Sequence, residues 1–252
     1  MSDLKESHLF RSFKEQQEHW YYKSKINVIG AYLKQYLKCR PDLNQLNCLD
    51  IGAGNGIISM GLGSSLSGRN LKWNLVDSGY SEADLSNSPE PYRRYRSAPF
   101  GKTYDIIVAI DVVEHVADDH AFCKSIEELL SPEGLLILCV PAFQFLWSPH
   151  DVFLGHYKRY NLCQLSSLLS DSSTIIASRY LYQMLFPVIA MFRLLARSRR
   201  GNVVSGSDLK IYPSPLNSLL FSVSMMGERL LGNNYLGSVV PGLSCLVVTR
   251  KN

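Results

Sequence analysis

The sequence predicts an α/β protein with a doubly wound, mostly parallel seven-stranded sheet. Three observations favour this fold class: a glycine-rich turn follows a short apolar run, strand-like and helix-like segments then alternate, and a late apolar run would close the sheet. The chain has 252 residues, of which 46% are hydrophobic and 19% charged, as in globular domains. We expect one domain over residues 1–252, with a helical leader over 1–40 and an apolar helical insert over 181–240.

Charge and cysteine usage restrict the class of protein. The formal net charge of +4 is small and scattered, so a nucleic-acid partner is not expected. The cysteines form no C-x-x-C pair and are predicted to be reduced thiols, which suits a cytoplasmic protein. They stand at positions 39, 48, 123, 139, 163 and 245. The polar beginning predicts no signal peptide, and no uncharged apolar run reaches the roughly 18 residues of a membrane span.

The leader is predicted to be helical from Ser2 to Leu37, because apolar residues recur on one side and Pro41 then ends the helix. Within it, Glu18–Lys23 carries three consecutive aromatic residues, which cannot all face the same side of a helix. Two interpretations follow: the segment packs across an edge of the sheet, or it forms a lid over a ligand.

A cofactor cradle is predicted within Cys48–Gly56. Leu46–Ile51 is short and apolar enough for a buried strand, and a helix-like segment begins at Ile57. Glycines allow a tight turn and let a ligand approach the backbone, while the helix start offers free N–H groups. The dinucleotide fingerprint G-x-G-x-x-G does not fit, because Ile57 occupies its third glycine position.

The spelling Leu-Asp-Ile-Gly-Ala-Gly-Asn-Gly closely resembles the first motif of the class I S-adenosylmethionine-dependent methyltransferases. The leader segment also resembles the HWWF-like leader that precedes this motif in many small bacterial methyltransferases. The resemblance implies a Rossmann-like methyltransferase fold, with S-adenosylmethionine as the cofactor. In that family the glycines line the methionine half of the cofactor, and the acid inside the strand sits near its amino group. The implied cofactor-binding residues of the turn are Asp50, Gly52, Ala53, Gly54, Asn55 and Gly56.

Leu71–Val76 is predicted to be the second strand, and Asp77 follows its tip. A carboxylate at this place can accept hydrogen bonds from both ribose hydroxyls, and the family resemblance implies the same role. The polar segment Ser78–Pro91 predicts that the next helix is shortened or missing.

A third strand is predicted over Tyr92–Ser97. The family often carries an acid after this strand for the adenine amino group, whereas this sequence has Ser97 and Ala98 there. We therefore predict that backbone groups and apolar contacts at these two residues hold the adenine.

Tyr104–Ile110 is a nearly continuous apolar run, as expected for a strand buried on both faces. Asp111 follows it, and Asp-Val-Val-Glu-His resembles the family's D-x-x-E-H element. Because parallel strands end at the same edge of a sheet, Asp111 is predicted to lie near the methionine end of the cofactor. A helix over Ala121–Leu130, a turn at 131–134 and a fifth strand over Leu135–Val140 continue the alternation.

Pro141–Asn161 follows the fifth strand and is rich in His, Tyr and Arg, which substrate-binding loops commonly use. Its Gly-His-Tyr-Lys-Arg-Tyr segment resembles the GHYRRY-like loop of a bacterial methyltransferase subfamily. Both histidines of this loop are candidates for a general base. The alternative is a structured lid whose polar groups satisfy the backbone alone. The predicted catalytic residues are His150, His156, Tyr157 and Arg159.

The last third of the chain predicts a short helix over Leu162–Leu169 and strands over Ser173–Tyr180 and Leu243–Arg250. Between these strands, two apolar helices are predicted over Leu181–Ala196 and Pro213–Leu231. Helices this apolar are expected to pack on the core, on a partner chain or on lipid. Nearby arginines would favour an anionic membrane surface. They are Arg193, Arg197, Arg199 and Arg200.

The functional hypothesis is methyl transfer from S-adenosylmethionine to an oxygen of a small-molecule, lipid-linked or sugar-linked acceptor, without a metal ion. A first alternative is metal-assisted O-methyl transfer by Asp111, Glu114 and His115, whose spacing places them on one helix face, with His150 or His156 completing the set. A second alternative is a non-catalytic scaffold that binds S-adenosylmethionine and docks on a membrane enzyme through the insert.

Overall fold

The computed structural model describes residues 9–41, 44–66, 68–88, 90–198, 207 and 209–252. Three of the predicted features lie outside the described residues. They are the start of the leader helix at Ser2, the backbone and side chains of Arg199 and Arg200, and the side chain of Arg197.

One sheet forms the centre of the protein. Its strands are β1 (Gln45–Ile51), β2 (Asn70–Val76), β3 (Tyr92–Tyr95), β4 (Tyr104–Ile110), β5 (Leu130–Pro141), β6 (Ser173–Leu181) and β7 (Ser244–Lys251). They form a seven-stranded sheet in the order β3-β2-β1-β4-β5-β7-β6. Neighbours run parallel from β3 to β5, whereas β7 is antiparallel to both β5 and β6. The predicted doubly wound, mostly parallel sheet is confirmed.

Helices cover both faces of this sheet. They are α1 (Phe13–Glu18), α2 (Trp20–Lys38), α3 (Ile57–Ser65), α4 (Glu82–Ser86), α5 (Asp119–Glu128), α6 (Pro149–Leu154), α7 (Leu162–Ser166), α8 (Phe186–Ser198), α9 (Ser214–Leu231) and α10 (Asn234–Val239), with 3-10 turns at Val113–His115 and Gln144–Leu146. Among these described helices, none combines the length and the apolar character that crossing a membrane requires.

Strand β4 shows how the sequence builds a core on each face. Ile106, Val108 and Ile110 join the cluster that α2 and α3 cover. Ile107 and Ala109 join the opposite cluster, under α5 and α7. Because successive side chains alternate between faces, a strand buried on both sides must be apolar throughout. Each large aliphatic side chain buried in this way contributes roughly 1.5–3 kcal/mol.

The leader is not the single helix that the sequence predicts, because the chain breaks at His19. The backbone there is extended, with φ −62° and ψ 132°. Helix α9 holds the break: Asn217 accepts a hydrogen bond from the Trp20 N–H at 2.8 Å and donates one to the Glu18 carbonyl at 2.9 Å. The partner lies 199 positions from Glu18, so the local periodicity of the leader gives no sign of the break.

Three further elements can be compared with the prediction, of which the first agrees and the other two differ. Helix α4 is present with five residues, which agrees with the predicted shortening. The predicted turn at 131–134 belongs to β5, which begins at Leu130 and changes register near Glu133, where φ is 61°. Helix α5 begins at Asp119, two residues before its predicted start.

The predicted helix from Leu181 is wrong at its start. Leu181 is the last residue of β6, Tyr182 turns the chain with a φ of 62°, and α8 begins at Phe186. An apolar run satisfies a buried strand as well as a buried helix, so composition alone could not separate the two. The short helix α10 after α9 was not predicted.

Candidate active site

The glycine turn lies where β1, β2 and β4 end. Gly52, Gly54 and Gly56 all have positive φ, at 69°, 54° and 85°. A Cβ on Gly52 would lie 2.3 Å from Cγ2 of Val112, so a larger residue would displace the segment after β4. The Gly52 N–H donates to the Val76 carbonyl at 2.7 Å. These contacts fix the turn at the carboxyl ends of three parallel strands, where such sheets bind ligands.

Asp77 faces this turn, as the sequence predicts. Its Oδ2 accepts a hydrogen bond from the Gly54 N–H at 3.1 Å, and its Oδ1 accepts one from the Gly79 N–H at 2.8 Å. The residue is buried. The carboxylate is therefore held between the turn and the tip of β2, and its role with a ribose stays a prediction.

Asp50 is buried in β1 beside the turn. Burial raises the pKa of its carboxyl to about 7, hydrogen bonds from Ser59 oppose this shift, and the charge of Asp77 adds to it. Its Oδ2 has no hydrogen-bond partner among the described residues. A cation placed beside Asp50 would favour the charged form of this carboxyl.

Ser97 and Ala98 follow β3 at the same edge. Ser97 is exposed, whereas Ala98 is half-buried and packs against the cluster that contains Val76. Their predicted contacts with adenine stay predictions.

The leader covers this edge of the sheet. Lys25 donates from Nζ to Oδ2 of Asp111, and Tyr21 donates from its hydroxyl to the same oxygen at 2.9 Å. At the glycine turn, Asn55 donates to Oε1 of Gln16 at 2.6 Å. Burial alone would lower the pKa of Lys25, but the Asp111 carboxylate together with Cys139 and Tyr182 raises it above its usual value. The leader thus contacts two predicted cofactor-binding residues, while Trp20 and Tyr22 of the same segment pack in the core. The observed contacts agree with both interpretations of the segment.

An aromatic cluster ties the leader to the start of the insert. The Tyr21 ring stacks on Tyr182 at a centroid distance of 5.7 Å, and Trp20 meets Tyr182 edge-on at 5.5 Å. The Tyr182 hydroxyl donates to the Tyr21 carbonyl at 2.9 Å. Each such aromatic pair contributes about 0.5–1.5 kcal/mol beyond its buried area, so the cluster stabilises the leader on the edge.

A buried carboxylate holds His156. Nδ1 of His156 lies 2.8 Å from Oδ1 of Asp151, and Arg159 donates to both carboxylate oxygens, from Nε at 2.7 Å and from Nη2 at 3.0 Å. Burial would raise the pKa of Asp151, but hydrogen bonds from His156 and Arg159 more than offset it and lower that pKa below its usual range. An ionised Asp151 favours the proton on Nδ1, which leaves Nε2 of His156 as an acceptor.

Glu114 and His115 lie beside His156. Nε2 of His156 is 4.0 Å from Oε1 of Glu114, and the two imidazole rings are 4.6 Å apart. Burial raises the pKa of Glu114, and burial with the neighbouring His156 lowers the pKa of His115 to about 4. The imidazole of His115 is therefore neutral near pH 7.

The metal alternative needs a different ligand set from the one that the sequence suggests. Among the described residues, Glu114, His115 and His156 form a group whose ligand atoms lie within 4.8 Å of one another. Asp111 and His150 do not belong to that group. Asp111 is paired with Lys25 instead.

The four predicted catalytic residues take different positions. Nε2 of His156 lies 4.0 Å from Oε1 of Glu114. Arg159 is buried and contacts Asp151, and its Nη1 also donates to the Ala142 carbonyl at 3.2 Å. Tyr157 is 63% exposed, and its N–H donates to the Glu114 carbonyl at 2.7 Å. His150 is half-buried in the first turn of α6.

Sequence reasoning missed Asp151 as a site residue, although a signal was present. Ser-Pro-His-Asp is a helix-capping sequence, and the Ser148 N–H donates to Oδ2 of Asp151 at 2.8 Å. The cap fixes Asp151 at the start of α6, and the helix then returns the chain so that His156 meets the same carboxylate.

The chain is similar to known methyltransferases. A family model described as a methyltransferase domain matches residues 19–173. A ubiquinone biosynthesis O-methyltransferase from Rhizobium rhizogenes is 33% identical over 100 residues, which cover 37% of this chain and 40% of that protein. The aligned part spans less than half the length of the curated relatives.

Two solved structures share the fold at low sequence identity. A coclaurine N-methyltransferase bound to SAH is 17% identical, with a TM-score of 0.50 and coverage of 88% of this chain and 70% of that chain. A plantazolicin methyltransferase in complex with SAH is 14% identical, with a TM-score of 0.52 and coverage of 100% of this chain and 91% of that chain. The family match at residues 19–173 extends from the leader through the glycine turn and Asp111 to the His156 loop, and the chain therefore belongs to the methyltransferase family.

Proposed function

We propose that this chain transfers a methyl group from S-adenosylmethionine to an oxygen atom of a small-molecule acceptor. The methyltransferase family and the O-methyltransferase names of the curated relatives support this proposal. The two solved neighbours hold SAH, which is what S-adenosylmethionine becomes after it has given up its methyl group. The glycine turn and Asp77 supply a cradle of the kind that such a cofactor needs.

In this proposal different residues at the carboxyl edge of the sheet bind different parts of the cofactor. Asp77 accepts hydrogen bonds from the ribose hydroxyls, and Asp111 and Lys25 meet the methionine end. That end carries one ammonium and one carboxylate, and the Lys25–Asp111 pair offers the opposite charges. When bound, the cofactor supplies a methyl group on a sulfonium that is its own leaving group. The protein binds the cofactor and the acceptor, orients them for the transfer and excludes water.

The His156–Asp151 pair is the observation that carries the assignment to oxygen. A hydroxyl must lose its proton when its oxygen is methylated, so a base is needed. His156 keeps Nε2 buried and without a hydrogen-bond partner in the described part of the chain, while Asp151 holds Nδ1. As the acceptor oxygen takes the methyl group, its proton passes to Nε2 of His156. Asp151 stabilises the resulting imidazolium, and Arg159 positions Asp151.

We further propose that the acceptor is lipid-linked and that the insert contacts a membrane. Helix α8 adjoins the predicted acceptor loop, because Arg193 donates from Nη1 to the Leu146 carbonyl at 3.0 Å and the Phe186 ring lies 5.6 Å from Phe143. Monomers rarely expose apolar surface of this extent in water. The exposed side chains of α8, each between 47% and 65% accessible, are Val188, Met191, Phe192, Leu194 and Leu195.

Both helices of the insert have a side that packs on the core and a side that is exposed. Leu220, Phe221 and Val223 of α9 and Ile189 of α8 pack against the core that α2 covers. Leu219 and Leu230 of α9 are exposed, as are the five apolar side chains of α8.

A methyl-transfer assay tests the function. The full chain is incubated with methyl-labelled S-adenosylmethionine and with polar and lipid extracts, beside His156→Gln and a control, His120→Gln, on the exposed side of α5. We expect His156→Gln to lower the transfer rate about 10²–10⁴-fold, the usual contribution of a general base, with cofactor affinity unchanged. The control should match the wild type.

Two outcomes would contradict the proposal. Cofactor binding without transfer to any fraction would favour the scaffold alternative. A methyl group found on nitrogen or carbon of the product would remove the assignment to oxygen.

A further inference from the structure

Three ligand atoms converge beside the Asp151–His156 pair. They belong to Glu114, His115 and His156 and lie within 4.8 Å of one another. Glu114 is fully buried, and neither of its carboxyl oxygens has a hydrogen-bond partner among the described residues. Nε2 of His115 and Nε2 of His156 are likewise buried without one in the described ranges. Buried polar atoms almost always find partners, so three such groups facing one another indicate a ligand.

The other nitrogen of the His156 imidazole is engaged. Nδ1 of His156 bonds Oδ1 of Asp151 at 2.8 Å, and Asp151 is itself held by Arg159. The backbone of Gly155 opposes the lowering of the His115 pKa, which places this backbone close to the imidazole. The unpaired, buried nitrogen of His115 is Nε2. Outer partners of this kind fix an imidazole so that the remaining nitrogen presents its lone pair, as in protein sites that bind metal ions.

The donor set determines which ion fits. Two imidazoles and one carboxylate suit Zn²⁺ and other first-row transition metals, whereas Mg²⁺ and Ca²⁺ prefer oxygen ligands alone. Metal–nitrogen and metal–oxygen bonds near 2.1 Å require the three atoms to draw slightly closer than they stand. His115 is half-buried, so the cluster reaches towards the surface.

We propose that Glu114, His115 and His156 bind a divalent transition-metal ion such as Zn²⁺, and that the bound ion inhibits methyl transfer. The inhibition rests on the proposed function, because the ion would occupy the Nε2 lone pair of His156 that otherwise accepts the proton of the acceptor. Metal binding itself does not depend on that function.

The binding half is tested on the full chain after treatment with chelator. Zn²⁺ binding is measured by calorimetry, and Co²⁺ is added as a spectroscopic probe whose visible absorption reports coordination by protein ligands. We expect one ion per chain, with affinity reduced at least tenfold in Glu114→Gln, His115→Gln and His156→Gln and unchanged in His120→Gln. S-adenosylmethionine affinity of each variant serves as the folding control. Binding of neither ion to the wild type, or equal affinity in the variant that carries all three changes, would overturn the site.

The inhibition half is tested in the methyl-transfer assay. We expect one equivalent of Zn²⁺ to reduce the rate, EDTA to restore it, and His115→Gln to require at least tenfold more Zn²⁺ for the same inhibition. Stoichiometric binding without inhibition would overturn this half and the role of His156 as a base, while the site would stand. Activity that depends on His156 in a chain that binds no metal would overturn the site and leave the proposed function intact. Activation by Zn²⁺ would also overturn the inhibition.

Discussion

Lys25 of α2 and Asp111 at the tip of β4 form an ion pair that joins the leader to the predicted cofactor edge. Their side chains are 0% and 14% exposed, and the two residues lie 86 positions apart in the sequence. Both ions have lost most of their hydration, so the loss of either one removes a charge interaction that is strong in a buried site. We therefore expect this one ion pair to affect the position of the leader, the stability of the chain and the charge at the predicted methionine end of the cofactor.

Replacement of Lys25 by methionine should destabilise the chain by about 3–5 kcal/mol, because the carboxylate of Asp111 loses the buried positive charge of Lys25. Lys23→Met is the control, since the Lys23–Glu18 pair is 39% and 58% exposed and should contribute less than about 1 kcal/mol. Urea unfolding measures both. A second change, Asp111→Asn in the Lys25→Met background, should recover part of the loss. Equal losses in the two single lysine variants would contradict the coupling.

Asp77→Ala should weaken S-adenosylmethionine binding by roughly 1–3 kcal/mol, because a charged acceptor for the ribose hydroxyls is removed. Calorimetry gives the affinity, and Asp77→Asn retains the shape of the side chain as a matched comparison. Thermal unfolding separates this effect from the loss of the Gly54 hydrogen bond. Tight NAD binding with none of S-adenosylmethionine would contradict the cofactor assignment.

The turn and the strand-tip acids could be predicted because their signals are local. Gly52, Gly54 and Gly56 follow an apolar run directly, and Asp77 and Asp111 each stand at the end of a strand. Parallel strands bring such tips to one edge whatever the rest of the chain does. The position of these predicted cofactor-binding residues therefore follows from short stretches of sequence.

Other contacts of the site depend on partners that no local pattern pairs. In the sequence Lys25 is one of several basic residues of the leader, and only the fold shows that it contacts Asp111. Arg159 is predicted from the sequence to contact the acceptor, whereas in the structure it contacts Asp151. Long-range packing also decides the break at His19, which Asn217 of α9 holds from the far end of the chain. The hydrophobic periodicity of the sequence predicts none of these contacts.

Asp50 predicts a pH dependence of stability. Burial raises the pKa of its carboxyl from 3.8 in the unfolded chain to about 7. Between about pH 4 and pH 7 the unfolded chain releases this proton while the folded chain keeps it. The free energy of unfolding therefore falls as pH rises through this window, by roughly 4 kcal/mol in total, and levels off above pH 7. Asp50→Asn should remove this component, which urea unfolding at pH 5 and pH 7.5 would measure. An unchanged pH slope in the variant would contradict the raised pKa.

Arg159→Ala and Tyr157→Ala should separate support of the loop from contact with the acceptor. Arg159 is buried against Asp151, so its loss should destabilise the chain by about 3–5 kcal/mol and lower kcat. Tyr157 is 63% exposed, so its loss should change stability by less than about 0.5 kcal/mol and raise KM for the acceptor. Urea unfolding and rates per folded molecule measure the two effects. Arg159→Lys, which keeps the charge but loses the two-pronged contact, should fall between the wild type and Arg159→Ala in kcat. If Arg159→Ala had normal stability and a raised KM for the acceptor, the result would indicate that Arg159 contacts the acceptor.

The exposed face of α8 predicts binding to anionic membranes. The full chain should sediment with vesicles of anionic lipid at low salt and less so at high salt, because basic residues near the surface each contribute about 1 kcal/mol. Charge reversal of Arg193, Arg197, Arg199 and Arg200 should weaken sedimentation for the same reason. The double change Phe192→Asp with Leu195→Asp should abolish it, since both side chains are more than half exposed on α8. Phe100→Asp is the matched control, because Phe100 is fully exposed on the β3–β4 loop, outside the insert. Equal loss of sedimentation in the Phe100 control would show that added negative charge alone prevents binding. Wild-type protein that stays in the supernatant at low salt would remove the membrane proposal and with it the main argument for a lipid-linked acceptor.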